Sequence, residues 1–269
     1  MIEYQFVKQL NTTNNSIFYS IINYEDQVIG FGRKHFSQSG IKTIIMDMSF
    51  NIIEDNDKTI LSGEDPRCFV HKNILYIQDN TFSNMKLIKY NNDTVSRIGP
   101  IRRQGKNITF ISHNENLYYI HWMKPFIMYK LDTDTMTDIQ ITPLRNSIHT
   151  SNEANNEYRG GTPGYKLSEN EYFGFGHRTY NSRIEKEPTV IHDIFYWKLT
   201  FHDNDNDIPS FQTLDIPQPP NSLNICDPTS VIMLNNKMYL ITAESNLPWF
   251  SENGNKFVNN VYEINILYD

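Results

Sequence analysis

The chain has 269 residues, 39% hydrophobic, 13% aromatic and 20% charged, which excludes a disordered chain and allows a sizeable core in one large domain or two small ones. Its net charge of −7 argues against nucleic acid as the main partner, because binding a phosphate backbone needs a basic surface. No apolar run approaches the roughly 20 residues of a membrane-spanning helix, and the N-terminus, MIEYQFVKQLNTTNN, lacks the apolar core of a secretory signal.

A cytoplasmic chain with no membrane partner is therefore expected; the oligomeric state is not legible. Cys68 and Cys226 are too few for a disulfide framework or a thiolate zinc site, and the expectation is two buried thiols.

Taken in order, the chain repeats one device: an apolar-alternating run, a polar turn of Asn, Glu or Asp, and a second run rich in aromatics. The copies are SIFYSIINYEDQVIGFGRKH, RCFVHKNILYIQDN, ITFISHNENLYYIHW, TPGYKLSENEYFGFGHRTY and TSVIMLNNKMYLITAES. Each reads as two strands across a tight hairpin turn. A further strand-like run follows each: IKTIIMDMSF, MKLIKYNN, FIMYKLDTDTM, IFYWKLTFHDN and NNVYEINILYD. The copies start roughly 40 to 65 residues apart, about the length of a four-stranded propeller blade. Helical periodicity with caps is nearly absent. The predicted fold is all-β, a five-bladed β-propeller formed by residues 1–269 as a single domain, with irregular insertions at 145–160 and 202–222. A β-sandwich or β-barrel of similar strand count is the competing architecture.

In a propeller the innermost strands converge on one axis, so polar residues at equivalent ends of the repeats meet there. The first repeat offers Arg33, the second Glu64, Asp65 and Arg67, and the third Lys106 and Asn107. The fourth offers Arg159, Thr162, His177, Arg178 and Tyr180; the fifth offers Asp227, Thr229 and Glu244. Singly, each has a structural reading. Asp65-Pro66 and Asp227-Pro228 are turn starters, with Asp65 held extended by its proline. Gly160-Gly161 supply positive φ, His177 is a satisfied structural histidine, and Tyr118, Tyr119, Trp122, Phe173 and Phe175 are mostly core. Together, carboxylates beside Arg, Lys and His suit a polyhydroxylated or anionic ligand. The chain has no Walker loop, dinucleotide fingerprint, HExxH helix or G-x-S-x-G elbow, and no metal-ligand set is legible.

The stretch GEDPR before a hairpin, a Lys-containing strand start and the GG-T-P strand start resemble the β-mannoside phosphorylases of glycoside hydrolase family 130 and the related β-mannosyltransferases. The closest match is EDPR at 64–67; Arg33, Lys106 and the His177-Arg178 pair correspond by position. RGGTPGY and Cys226-Asp227-Pro228 depart from the proline run and the Phe-Pro of that family. The resemblance implies an inverting enzyme of the phosphorylase or glycosyltransferase kind, acting on a β-mannoside-like glycoside. Asp65 would be proton donor through a sugar hydroxyl, Arg33 would touch the sugar, and Lys106, His177 and Arg178, with Arg67, would hold phosphate. No cofactor is implied beyond inorganic phosphate or an activated sugar as co-substrate; the partner is a carbohydrate or sugar phosphate. Three alternatives stay open: a simple hydrolase with Asp227 or Glu244 as base, a glycan-binding propeller without catalysis, and a purely structural one.

Overall fold

The computed structural model describes residues 1–12, 16–34, 40–81, 85–91, 94–100, 107–142, 158–182, 189–202, 204, 207–246 and 257–267. Among these the regular structure is all β, and no helix is long and apolar enough to cross a membrane. Three sheets are simple antiparallel meanders. The first is β2 (Ile17–Tyr24), β3 (Gln27–Arg33), β4 (Ile41–Met46) and β5 (Ile52–Asp55). The second is β6 (Arg67–His71), β7 (Ile74–Asp79), β8 (Lys86–Asn91) and β9 (Thr94–Pro100). The third is β10 (Thr109–His113), β11 (Asn116–Trp122), β12 (Ile127–Asp132) and β13 (Thr137–Gln140).

A nine-stranded sheet holds two more meanders. One runs from β14 (Tyr158–Gly160) and β15 (Tyr165–Lys166), both on β16 (Glu171–Ser182), through β17 (Thr189–Thr200) to β18 (Ser210–Asp215). The other runs β19 (Ile225–Leu234), β20 (Lys237–Ser245), β21 (Val258–Ile266), and ends on the N-terminal strand β1 (Ile2–Leu10), antiparallel to β21. The two are joined by one parallel bridge, His192 to Ile225. The interval 202–222, expected to be an irregular insertion, contains β18. Its burial alternates only weakly because it is an outer strand with one face in water.

The Asn-rich turns explain the hairpins. Glu25 and Asp26, Lys72 and Asn73, Asn114 and Glu115, and Asn235 and Asn236 all carry φ between 44° and 61°. Two successive positive φ values define the type I′ turn, whose twist matches that of the strands it joins. Asn and Asp tolerate this region better than other side chains.

Apolar faces meet between one meander and the next. Phe31, Ile41, Ile77 and Ile88 join the first to the second; Phe69, Leu87, Phe110 and Tyr119 join the second to the third. Ile111, Ile120, Phe195 and Trp197 continue to the fourth, and Phe175, Ile194, Leu240 and Tyr262 link the two halves of the large sheet. Tyr19, Ile21, Ile44, Ile232 and Ile241 pack the last meander on the first. Each such side chain contributes about 1.5–3 kcal/mol on burial. The leading strands lie side by side, β19 against β2, β2 against β6 and β6 against β10.

Candidate functional site

The ends of the strands form a polar rim. Arg33 ends β3 and Arg67 begins β6, whereas Asp227 lies near the start of β19 and His177 midway along β16. In the register Arg159 of β14 sits opposite His177. Arg33 Nη1 donates to Asp65 Oδ1 at 2.8 Å, and its Nη2 lies 3.5 Å from Glu64 Oε1. Arg33 and Asp65 are both buried.

Asp65 is not extended. Its φ is +43°, a left-handed conformation disfavoured before proline and sustained where surroundings over-determine it. Here Asn80 does so: its Nδ2 donates to Asp65 O at 2.7 Å and its N–H to Glu64 O at 2.8 Å. Asp79 Oδ1 accepts from Glu64 N at 2.9 Å and fixes the residue before. The backbone turn thereby aims the Asp65 carboxylate at Arg33.

Arg67 is buried, and its donors go to backbone: Nε to Gly161 O at 2.6 Å, Nη1 to Pro66 O at 2.9 Å and to Asp65 O at 3.4 Å. It ties the second meander to the fourth. Gly160-Gly161 serve close approach rather than positive φ. A Cβ on Gly160 would collide with the Asn107 carbonyl oxygen, and one on Gly161 would stand 2.6 Å from Pro228 Cγ and 2.8 Å from Phe175 O. Asn107 itself has φ +59° and donates its N–H to Asn80 Oδ1 at 3.2 Å.

The second half of the rim is built on Asp227. Its Oδ1 lies 2.7 Å from His192 Nδ1 and 3.6 Å from His177 Nδ1, and the two imidazoles stack with centroids 4.8 Å apart. The His192–Ile225 bridge sets this up, since Asp227 is two residues on and faces the same side. Burial pushes the His177 imidazole down to about 3, with His192, Arg159 and Arg67 adding to the fall against Asp227. His177 is thus neutral at pH 7. Burial opposes ionisation of Asp227, but His192 above all, with Arg67, carries its carboxyl below the usual range. Asp65 and Asp227 both act on Arg67, so Arg33, Asp65, Arg67 and Asp227 form a row of alternating charge.

Other predicted residues lie elsewhere. Arg178 is next to His177 and therefore faces away, paired with Asp193 at 3.6 Å and Asp215 at 3.7 Å over Tyr158. Thr162 closes a backbone turn, its hydroxyl accepting from Phe175 N. Thr229 braces β19 on β2 through Tyr19 O at 2.6 Å. Glu244 is fully buried, accepting from Thr242 at 2.5 Å, Tyr262 at 2.9 Å and Leu223 N at 3.1 Å. Lys106 and the Tyr180 side chain lie outside the described residues. Tyr119, Phe173 and Phe175 are core, whereas Tyr118 and Trp122 are partly buried. Both cysteines are buried and free, and burial pushes the Cys68 thiol up to about 12, well out of the nucleophile range.

Sequence reasoning passed over His192, Asp79 and Asn80. The last two end YIQDN, where only a strand terminus was read; His192 carries no local motif. A separate cavity of about 650 Å³ is lined by the far ends of the leading strands, including Asn23, Val70, Asn114, Lys166 and Met233. It does not include the Asp65 or Asp227 cluster.

No protein-family model matches the chain, and no curated protein matches it by sequence. Solved structures do. A glycosyl hydrolase from Bacteroides ovatus superposes with a TM-score of 0.62 at 10% identity, over 93% of this chain and 84% of that one. A GDP-Man-dependent mannosyltransferase from Leishmania mexicana gives 0.60 at 13%, over 97% and 88%. An α-L-arabinofuranosidase from Lactobacillus brevis gives 0.57 at 11%, over 91% and 90%. At these identities the likeness speaks to fold alone: the chain has the glycosidase-like β-propeller fold.

Proposed function

We propose that the chain is a single-domain, five-bladed carbohydrate-active propeller that transfers a glycosyl group from a β-glycoside with inversion. The blade count rests on the five meanders, each packed on the next and the last on the first. The observation that carries the function is Asp65: a buried carboxylate held by a left-handed turn at a strand start, facing Arg33 on a rim of alternating charge. In this reading a sugar hydroxyl takes the place of Arg33 on Asp65. Freed from Arg33, Asp65 takes up a proton from solvent. That proton passes through the hydroxyl to the glycosidic oxygen, the C–O bond breaks, and phosphate, or an acceptor hydroxyl that gives its own proton to Asp227, bonds to the anomeric carbon from the opposite face. The EDPR stretch supports a β-mannoside-like substrate, and the mannosyltransferase and glycosyl hydrolases of the same fold support the class.

Asp227 favours a second reading, hydrolysis. It is hydrogen-bonded to His192 and is an ionised carboxylate on the same rim, and the base of an inverting hydrolase is an ionised carboxylate. The test is phosphate release from α-mannose 1-phosphate and other sugar 1-phosphates with free sugars as acceptors, beside sugar release from aryl β-glycosides in phosphate-free buffer. Phosphate release that Asp65→Asn abolishes supports transfer or phosphorolysis. Sugar release without phosphate, lost in Asp227→Asn, supports hydrolysis. Sugar binding with neither product would make the chain a glycan-binding propeller and overturn the enzyme reading.

A further inference from the structure

We propose that His177, His192 and Asp227 bind one divalent transition cation of the zinc class, pinning the junction of the two meanders in the nine-stranded sheet. Their ligating atoms all lie within 4.8 Å of one another. Both Nδ1 atoms converge on the same carboxylate oxygen, at 2.7 Å and 3.6 Å, from rings tilted by only 18°. Around zinc, with bonds of about 2.0–2.2 Å, tetrahedral ligands stand roughly 3.3 Å apart. The 3.6 Å pair is near that value and the 2.7 Å pair needs to open by about half an ångström.

A second observation points to a ligand. His177 is 2% exposed and its Nδ1 makes no hydrogen bond. A buried imidazole nitrogen normally has a partner, and this one is directed at a carboxylate just beyond hydrogen-bonding reach. A cation between them satisfies it. His192, its side chain 17% exposed, gives the ion a way in and leaves room for a further ligand. The three residues come from β16, β17 and β19, and β17 and β19 are otherwise tied by a single bridge, so one ion adds the cross-link that the sheet lacks there.

The donor set selects the metal. Two imidazoles and one carboxylate suit zinc, cobalt or nickel, whereas calcium and magnesium take oxygen shells. Arg67 and Arg159 act on His177 and weaken cation binding; Asp65, on the other side of Arg67, offsets part of this.

The test uses the full chain, stripped with chelator and titrated with Zn²⁺ against a chromophoric chelator, and separately loaded with Co²⁺ for its visible spectrum. The expected result is one Zn²⁺ per chain, an intense tetrahedral Co²⁺ band, and no displacement by millimolar Ca²⁺. His192→Gln and Asp227→Asn are expected to weaken Zn²⁺ binding at least about a hundredfold, beyond the loss typical of residues that merely support a ligand. Replacing the remote, exposed His202 by Gln should change nothing. Displacement by Ca²⁺, absence of the Co²⁺ band in the wild-type chain, or undiminished Zn²⁺ binding in a folded His192→Gln chain would each overturn the proposal. None of these readouts depends on catalysis, so a failed activity assay leaves the result standing.

Discussion

The neutral, buried His177 makes a quantitative prediction about acid stability. In the unfolded chain a histidine titrates near 6.5; in the fold His177 titrates at about 3. Between these values the unfolded state carries a proton that the native state refuses, so stability falls as pH falls from about 6.5 and is untouched above it. At pH 5.0 the separation from the unfolded value is about 1.5 units, and at roughly 1.36 kcal/mol per unit the loss is about 2 kcal/mol relative to pH 7.5. Because the group is buried, solvent screening does not reduce this figure. Asp227, held below the usual carboxylate range, stays out of this window. The assay is urea unfolding at pH 7.5 and 5.0 with chelator present, for the wild-type chain, His177→Gln and His177→Phe. Other titrating groups contribute equally to all three. The wild-type chain should lose about 2 kcal/mol more than either variant; an equal loss in all three would refute the reasoning, placing His177 in contact with water or in a charged pair with Asp227.

Three further predictions concern the frame. Gly160→Ala drives a Cβ into the Asn107 carbonyl, a backbone atom that cannot swing away; at about 1–3 kcal/mol for overpacking, the melting temperature should drop by several degrees, and an unchanged Tm would show that β14 can slide. Asn236, at φ +61° in the β19–β20 turn, should cost about 1 kcal/mol as Ala and nothing as Gly, measured by chemical unfolding. Thr229→Val removes the hydroxyl shared by Tyr19 O at 2.6 Å and Ile241 O at 3.1 Å; about 1–3 kcal/mol of stability should go with it, without change in sugar binding.

Much of the fold was legible because it is written in local chemistry. Four of the hairpins are period-two runs around turns with two successive positive φ values, mostly at Asn, Asp and Glu, and all five copies quoted from the sequence fall on hydrogen-bonded strand pairs. The strand β18 was missed because an outer strand with one wet face shows little alternation. The pairing of β1 with β21 was missed for another reason: it joins residues such as Tyr4 and Ile264, and no local pattern records a partner at the other end of the chain. The site divides the same way. The Asp65-Pro66-Arg67 turn was visible as a motif, yet its left-handed backbone was not, since it depends on Asn80 reaching back across a hairpin. Cys226-Asp227-Pro228 drew notice as a motif while His192 did not, although the two are in contact. Only the parallel bridge between two meanders brings them together.

The basic residues of the rim divide by what they already hold, and that division bears on the chemistry. Arg67 gives three N–H···O contacts to carbonyl oxygens of Pro66, Asp65 and Gly161, so releasing it to a phosphate would unmake the link between two meanders. Arg178 faces Asp193 and Asp215 on the other side of its strand. Arg33 is held by Glu64 and Asp65, and a sugar that engages Asp65 would turn it toward the ligand. In the proposed reaction an attacking phosphate would also meet the ionised Asp227, which repels it. A hydroxyl acceptor or a water meets no such opposition there: Asp227 can accept its proton. The charge already in place thus favours, within the proposed function, an acceptor that arrives neutral over phosphorolysis.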